Sequence, residues 1–231
     1  MSQYTDLYLR IMKTKAVIFD MDGLLIDSEP LWQEAGIEAL LPHNIQLTVE
    51  QYHSSTGLRT LEWVDHWFTH FAVDKSNAAA TVTRIEASAI DKINRLGKPM
   101  PGVEHIINFF LERNFAIGIA SSSPLALIDV VIKKLGITQH LDAISSAQGL
   151  PFGKPHPQVY LNCAETLGIP AYRCICFEDS FNGMIAAKAA KMACVVVPEA
   201  AQYHSPRWGA ADLKLGSLAN FNQLLLDRFL Q

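Results

Sequence analysis

Asp20 and Asp22 stand two residues apart in Asp20-Met21-Asp22-Gly23, directly after the apolar run Ala16-Val17-Ile18-Phe19. A run rich in β-branched and aromatic residues reads as a buried strand, and Gly23 permits the tight reversal that ends it. Packing does not call for two carboxylates at the end of an apolar strand. Held together there, they repel unless a cation or a shared proton sits between them. Such a pair suits magnesium-assisted chemistry on an anionic substrate.

Further residues repeat the pattern of polar groups where apolar runs end. Ser121-Ser122-Ser123 follows Gly118-Ile119-Ala120. Ser123 before Pro124 reads as a helix N-cap, and hydroxyls with free N–H groups at a helix start also make an anion site. Lys154 sits in Gly153-Lys154-Pro155-His156-Pro157, where glycine and proline fix the backbone as a phosphate-reading ammonium requires; His156 reads as a surface or helix-start residue. Phe177-Glu178-Asp179-Ser180 ends another apolar run with a second acid pair. Opposite Asp20 and Asp22, Glu178 and Asp179 would complete an oxygen-rich site for a hard cation, while Ser180 reads as an ordinary helix cap. Arg59, in Thr56-Gly57-Leu58-Arg59, could reach a substrate anion from above or be a surface cation on a helix.

The elements that would position these groups alternate after residue 97. Strands are expected at Phe115–Ala120, Ala143–Ser145, Cys174–Phe177 and Cys194–Val197, with helices near 103–113, 125–135, 157–167 and 181–191 and one more edge strand at Asp212–Leu215. Strand–helix alternation predicts a parallel α/β sheet flanked by helices, with ligands met at the carboxyl ends of the strands. Residues 30 to about 96 break the alternation with helical stretches at Leu31–Leu41, Leu58–Phe71 and Asn77–Leu96 and no convincing strand. Trp32, Trp63, Trp67, Phe68 and Phe71 recur there at helical spacing and are expected to pack inside an inserted helical module rather than to touch a ligand. The expected domains are therefore a Rossmann-like core of 13–27 and 97–231 and a helical cap of 28–96.

Composition narrows the function classes. The chain has 231 residues, 49% hydrophobic and 18% charged, enough to bury a substantial core. A net charge of -4 with no basic block argues against nucleic acid, and no apolar run reaches the roughly 18 residues of a membrane span. Residues Met1–Met12 carry Asp6 and Arg10 without an apolar signal core, and read as a short disordered extension in which Met12 could be an alternative start. Cys174 and Cys176, at i and i+2 of a strand, should share one sheet face, with Cys163 and Cys194 also reduced and buried, as suits the cytoplasm. A monomer is expected.

With Asp20-Met21-Asp22-Gly23, Ser121, Lys154 and Glu178-Asp179 in this order, the chain resembles the haloacid dehalogenase-like phosphatases, in the β-phosphoglucomutase-like group with a helical cap. Phe19 to Trp32, Gly57-Leu58-Arg59 and Lys154 to Leu161 look like the 2-deoxyglucose-6-phosphatase and hexitol phosphatase subgroup. The resemblance implies Asp20 as nucleophile, forming an aspartyl-phosphate, and Asp22 as general acid and then base. It implies Mg2+ held by the Asp20 carboxylate, the Asp22 backbone carbonyl and Asp179, with Glu178 as a ligand or through water. Ser121, Lys154 and N–H groups near Met21 and Ser122 would bind the phosphoryl oxygens.

Departures sort the members of that group. The mutases it resembles place a His in the cap where Trp32 stands, and its absence favours a phosphatase. Dehalogenase members lack the second acid, here Asp22. Phosphonate hydrolases need a cap lysine, and Lys75 and Lys92 lack the matching context. The expected activity is hydrolysis of small sugar or polyol phosphates, such as 2-deoxyglucose 6-phosphate and hexose or hexitol phosphates. The alternatives are a sugar phosphomutase and a non-catalytic phospho-ligand binder, the latter disfavoured because binding alone needs neither nucleophile nor proton shuttle.

Overall fold

The computed structural model describes Lys13, residues 15–55 and residues 57–230. The expectation for Met1–Met12, and Thr56 of the Arg59 motif, fall outside them. Six parallel strands form the central sheet: β1 (Ala16–Phe19), β4 (Ala116–Ser121), β5 (Ala143–Ser146), β6 (Cys174–Glu178), β7 (Ala193–Val196) and β8 (Leu213–Lys214), in the order β5-β4-β1-β6-β7-β8. This is the expected Rossmann-type sheet, with the predicted edge strand at its end. A second ribbon of two residues a side pairs β2 (Ile26–Asp27) antiparallel with β3 (Lys98–Pro99).

Alternation along the strands divides the core into two faces. Val17, Phe19, Ile117, Ile119, Ile175, Phe177 and Val195 pack on one face, and Ala16, Ile18, Cys174, Cys176, Cys194 and Val196 on the other. Cys174 and Cys176 thus share a face, as their spacing requires, and all four cysteines are free and buried. Helices α5 (Val103–Leu111), α6 (Leu125–Lys134), α7 (Gln158–Leu167) and α8 (Phe181–Ala189) cover the sheet. Phe110 of α5 is fully buried, with ring contacts to Phe19, Phe115, Phe177 and Phe221. Phe110→Ala is expected to cost about 3–5 kcal/mol of unfolding free energy, read from the urea midpoint. A loss of under about 1 kcal/mol would mean that the neighbouring rings collapse into the space.

Between β2 and β3 the chain is helical: α1 (Glu29–Leu40), α2 (Val49–Ser54), α3 (Thr60–His70) and α4 (Ala78–Leu96). Helices α1 and α3 both pack on α4, and α4 in turn meets α6 beside the sheet. Helix α2 was not anticipated; it starts at Thr48, whose hydroxyl and the Gln51 side chain form a reciprocal capping box. The aromatic stripe is divided. Trp67 and Phe68 are buried as expected, whereas Phe71 is 37% exposed. Trp32 and Trp63 line a cleft, which corrects the core-only reading of the stripe.

Candidate active site

The carboxyl ends of β1, β4 and β6 meet at one edge of the sheet because these strands are neighbours in register. Asp20 follows β1, its amide bonded to Phe177 O at 2.9 Å. Ser121 ends β4, and Asp179 follows Glu178 at the end of β6. Gly23 holds φ at +71°, and a Cβ there would collide with the Asp179 carboxylate, so a glycine is required where the two acid loops meet. The cleft above this edge encloses about 750 Å3, counted to its open mouth, with Trp32, Tyr52 and Trp63 on its far wall.

Lys154 is 2% exposed and lies among carboxylates. Its Nζ reaches Asp20 Oδ1 at 2.5 Å, Glu178 Oε1 at 2.7 Å and the Ala120 carbonyl at 3.1 Å. All three ammonium protons are thereby used. Burial alone would lower the Lys154 ammonium, but the charges of Asp20 and Glu178 overcome it and hold the pKa above the ordinary lysine value.

Glu178 is fully buried and saturated with donors. Oε1 accepts from Lys154 and from Tyr160 Oη at 2.6 Å; Oε2 accepts from the Asp179 amide and from the Ser180 amide and hydroxyl. Against the desolvation of burial, Lys154, Tyr160 and the Ser180 amide hold its carboxyl below the usual range. A Cβ at Gly183 would overlap the Glu178 carboxylate, so the first turn of α8 also makes room for this acid. Ser180 caps that helix by accepting from the Gly183 amide at 3.0 Å, as read from the sequence.

Asp20 and Asp179 are less well neutralised. Burial pushes the Asp20 carboxyl up, Lys154 pulls it down, and Glu178 and Asp22 push it up again. Asp179 is raised well above its ordinary value by burial and by the charges of Glu178, Asp20 and Glu29. Oxygens of Asp20, Glu178 and Asp179 lie within 4.8 Å of one another, with one ammonium against three acids. An all-oxygen, net-negative cluster of this kind fits a hard divalent cation. Asp20 and Asp179 line the cleft and Glu178 does not.

Asp22 is separate from this cluster. Its Oδ1 accepts from Ser28 Oγ at 2.7 Å and from Trp32 Nε1 at 2.9 Å, and its Oδ2 from Ser123 Oγ at 2.7 Å, with Ser121 Oγ at 3.5 Å. Ser123 therefore spends its hydroxyl on Asp22 and does not cap α6, whose flanking residue is Pro124. Ser121 Oγ accepts from the Ser123 amide at 3.0 Å, and Ser122 Oγ donates to Gly57 O at 3.1 Å, joining the core edge to the helical segment.

Arg59 is the sequence candidate that the structure keeps out of the cleft. Its guanidinium binds Glu62 at 2.6 Å and the carbonyls of Ala147, Leu150 and Pro151. Arg59 and Glu62, which also accepts from the Gly153 amide at 3.1 Å, clasp the loop that carries Lys154. His156 is exposed and accepts from the Gln158 amide at 3.3 Å, the helix-start role expected of it. Tyr52 and Tyr160 escaped sequence reasoning, whereas Glu29 is one of the cap side chains on which the sequence places the choice of substrate. Glu29 lines the cleft, and burial of its carboxyl, with the charges of Asp22, Glu199 and Asp27, pushes it up to about 8.

A parallel α/β sheet with a buried lysine and clustered acids at its carboxyl edge defines a class of protein whose ligands bind in the crevice outside the carboxyl ends of the strands. The comparisons name the family within that class. Residues 14–191 match the model of the haloacid dehalogenase-like hydrolases. Hexitol phosphatase B of Escherichia coli strain K12 is 40% identical over 204 residues, covering 88% of this chain and 92% of that protein. The fructose-1-phosphate phosphatase YqaB of Escherichia coli strain K12 is 29% identical, over 78% of this chain and 95% of that one. A crystal structure of β-phosphoglucomutase from Clostridium difficile superposes with a TM-score of 0.82 at 23% identity, covering 94% of this chain and 97% of the other, and shows the shared fold. The chain belongs to the haloacid dehalogenase-like hydrolases. Among the described residues no helix is long and apolar enough to cross a membrane.

Proposed function

We propose that this hydrolase is a magnesium-dependent phosphomonoesterase that cleaves small sugar or polyol phosphates through an aspartyl-phosphate on Asp20. The observation that carries the reading is the division of labour between the two acids of the first loop. Asp20 sits in the charged cluster beside Lys154, while Asp22 is held apart on neutral donors. A nucleophile needs cationic surroundings so that it can approach a phosphoryl dianion. A proton carrier must keep its side chain free of them.

In this reading residues 13–27 and 97–231 form the catalytic core and residues 28–96 the cap. Asp20 attacks phosphorus as Asp22 gives its proton to the departing sugar oxygen. Asp22 then takes a proton from the water that hydrolyses the intermediate. Ser121 and amides near Met21 and Ser122 bind the phosphoryl oxygens, and Lys154 turns the proton it gives Asp20 to a phosphoryl oxygen as the ester arrives. Asp20, Asp179 and the Asp22 carbonyl would hold Mg2+, with Glu178 adding charge from behind. The ion supplies neutralisation of the phosphoryl charge when bound.

Arg59 serves as a clasp between cap and core. Glu29 and Tyr52, set among Trp32 and Trp63, suit the hydroxyls and the carbon face of a sugar or polyol. The relatives named for hexitol and fructose 1-phosphates support that substrate class. The reduced, buried thiols suit a cytoplasmic setting.

Phosphate release from a panel of hexose, deoxyhexose and hexitol phosphates tests the reading, with magnesium and with chelator. Turnover that vanishes in chelator and returns with magnesium is expected. Interconversion of phosphate isomers without release would move the assignment to a mutase.

A further inference from the structure

We propose that His66 and His70 form a metal site on the outer face of α3, for a late divalent transition metal such as Zn2+, Ni2+ or Cu2+. It lies apart from the acid cluster of the cleft and does not depend on the phosphatase reading.

The two residues stand four apart at the end of α3. Side chains at i and i+4 of a helix lie one above the other on one face, and paired histidines at that spacing are a zinc-binding arrangement. Burial along the helix decides which face this is. Trp63, Val64, Trp67 and Phe68 point inward, and His66 and His70 are both exposed. Their rings are stacked, with centroids 6.5 Å apart and planes 19° from parallel. Trp67 is buried and donates from Nε1 to Ser55 Oγ at 3.3 Å. Its ring meets the His66 ring at 4.6 Å and the His70 ring at 5.5 Å. A fixed indole beside both imidazoles restricts them in advance, which lowers the ordering cost that two free surface side chains meet on binding.

Among the described residues neither imidazole has a hydrogen-bond partner, so the ring nitrogens are open to an ion. Asp65, the acid next to His66, is already paired with Lys75 at 2.5 Å. The protein ligands are therefore two imidazoles, with water completing the shell. Imidazole nitrogens bind zinc at about 2.0–2.1 Å, a distance that exposed rings reach by turning toward each other. Such nitrogen donors take zinc, nickel and copper, copper most tightly, whereas Mg2+ and Ca2+ take oxygen. The chain thus offers oxygens to a hard cation in the cleft and nitrogens to a softer one on the outer face. Arg59 and Glu62 clasp the first turn of α3 to the core loop. An ion across His66 and His70 would tie its last turn, stabilising the helix that carries Trp63 into the cleft.

The test is a calorimetric titration of the full chain, free of any affinity tag, with ZnCl2 in saturating magnesium. Wild type is expected to bind an ion that His66→Gln and His70→Gln each weaken at least about tenfold, because each removes one of two ligands. In parallel, CuCl2 should quench tryptophan emission of the wild type, since the paramagnetic ion lies beside Trp67, and should spare both variants at the same concentration. Zinc should also raise the urea midpoint of the wild type alone. Both positions are exposed, and matching circular dichroism of the three chains without zinc controls for folding. Equal zinc affinity in all three chains would place the ion elsewhere and overturn the inference. So would an absence of binding up to about 1 mM Zn2+. Weakening in one variant alone would leave a single imidazole contact and overturn the pair.

Discussion

Asp20→Asn is expected to abolish turnover, lowering kcat by about 10^4- to 10^6-fold, the scale seen when a covalent nucleophile is removed. The substitution is nearly isosteric, and the amide oxygen can still accept from Lys154, so the fold and the phosphate-binding edge should persist. The variant separates an enzyme from a binder. An enzyme loses release of phosphate and retains affinity for the ester, measured by calorimetry. A chain built only to bind shows no turnover in either form. The covalent step has its own check: acid-quenched wild type given 32P-labelled ester should carry label that hydroxylamine removes, and Asp20→Asn should carry none. Label on Asp20→Asn would move the nucleophile to another side chain, and full turnover would remove Asp20 from the chemistry.

Polar groups at strand ends were legible because each one breaks an apolar pattern. Asp20, Asp22, Ser121, Glu178 and Asp179 follow runs whose burial demands hydrophobic residues, and the structure brings them to one edge. Periodicity also located the strands, since Val17 and Phe19 fall on one face and Ala16 and Ile18 on the other. What spacing does not carry is the pairing of groups distant in sequence. Tyr160 on Glu178 joins residues 18 apart through a helix and a strand, and nothing in its context marks it out from a core tyrosine.

The same limit misplaced two residues of suggestive local context. Ser123 precedes Pro124 as an N-cap does, yet its hydroxyl donates to the half-buried Asp22 carboxylate, and no side chain caps that helix. Arg59 opens a helix, yet the carbonyls of Ala147, Leu150 and Pro151 claim its guanidinium. The ribbon of β2 and β3 and the short helix α2 span too few residues for a period to show.

Lys154→Ala is the second large effect, and it acts on stability and activity together. In the wild type one ammonium lies between Asp20 at 2.5 Å and Glu178 at 2.7 Å, all three side chains at most 9% exposed. Removing it leaves two carboxylates buried against each other, which typically costs about 3–5 kcal/mol. The pH dependence gives the mechanism a sign. In the wild type, Glu178 is depressed by Lys154 despite burial. Its contribution is therefore present above the unfolded carboxylate pKa and lost as pH falls through the folded one. Asp20 is already raised to about 8 by burial in the wild type; without Lys154 it rises further and Glu178 turns from depressed to raised, so both contributions are lost as pH rises. The stability gap between wild type and variant should therefore be smaller near about pH 5 than near about pH 8, measured by urea unfolding in chelator. KM should rise and kcat should fall, because the ammonium that steadies Asp20 is also the one read as turning to the phosphoryl group of the ester. Lys154→Arg should not rescue the activity, since a planar fork cannot occupy a pocket shaped for a compact ammonium bonded in three directions. A gap independent of pH would place the loss in packing of the lysine stem, and unchanged kinetics would remove Lys154 from the site.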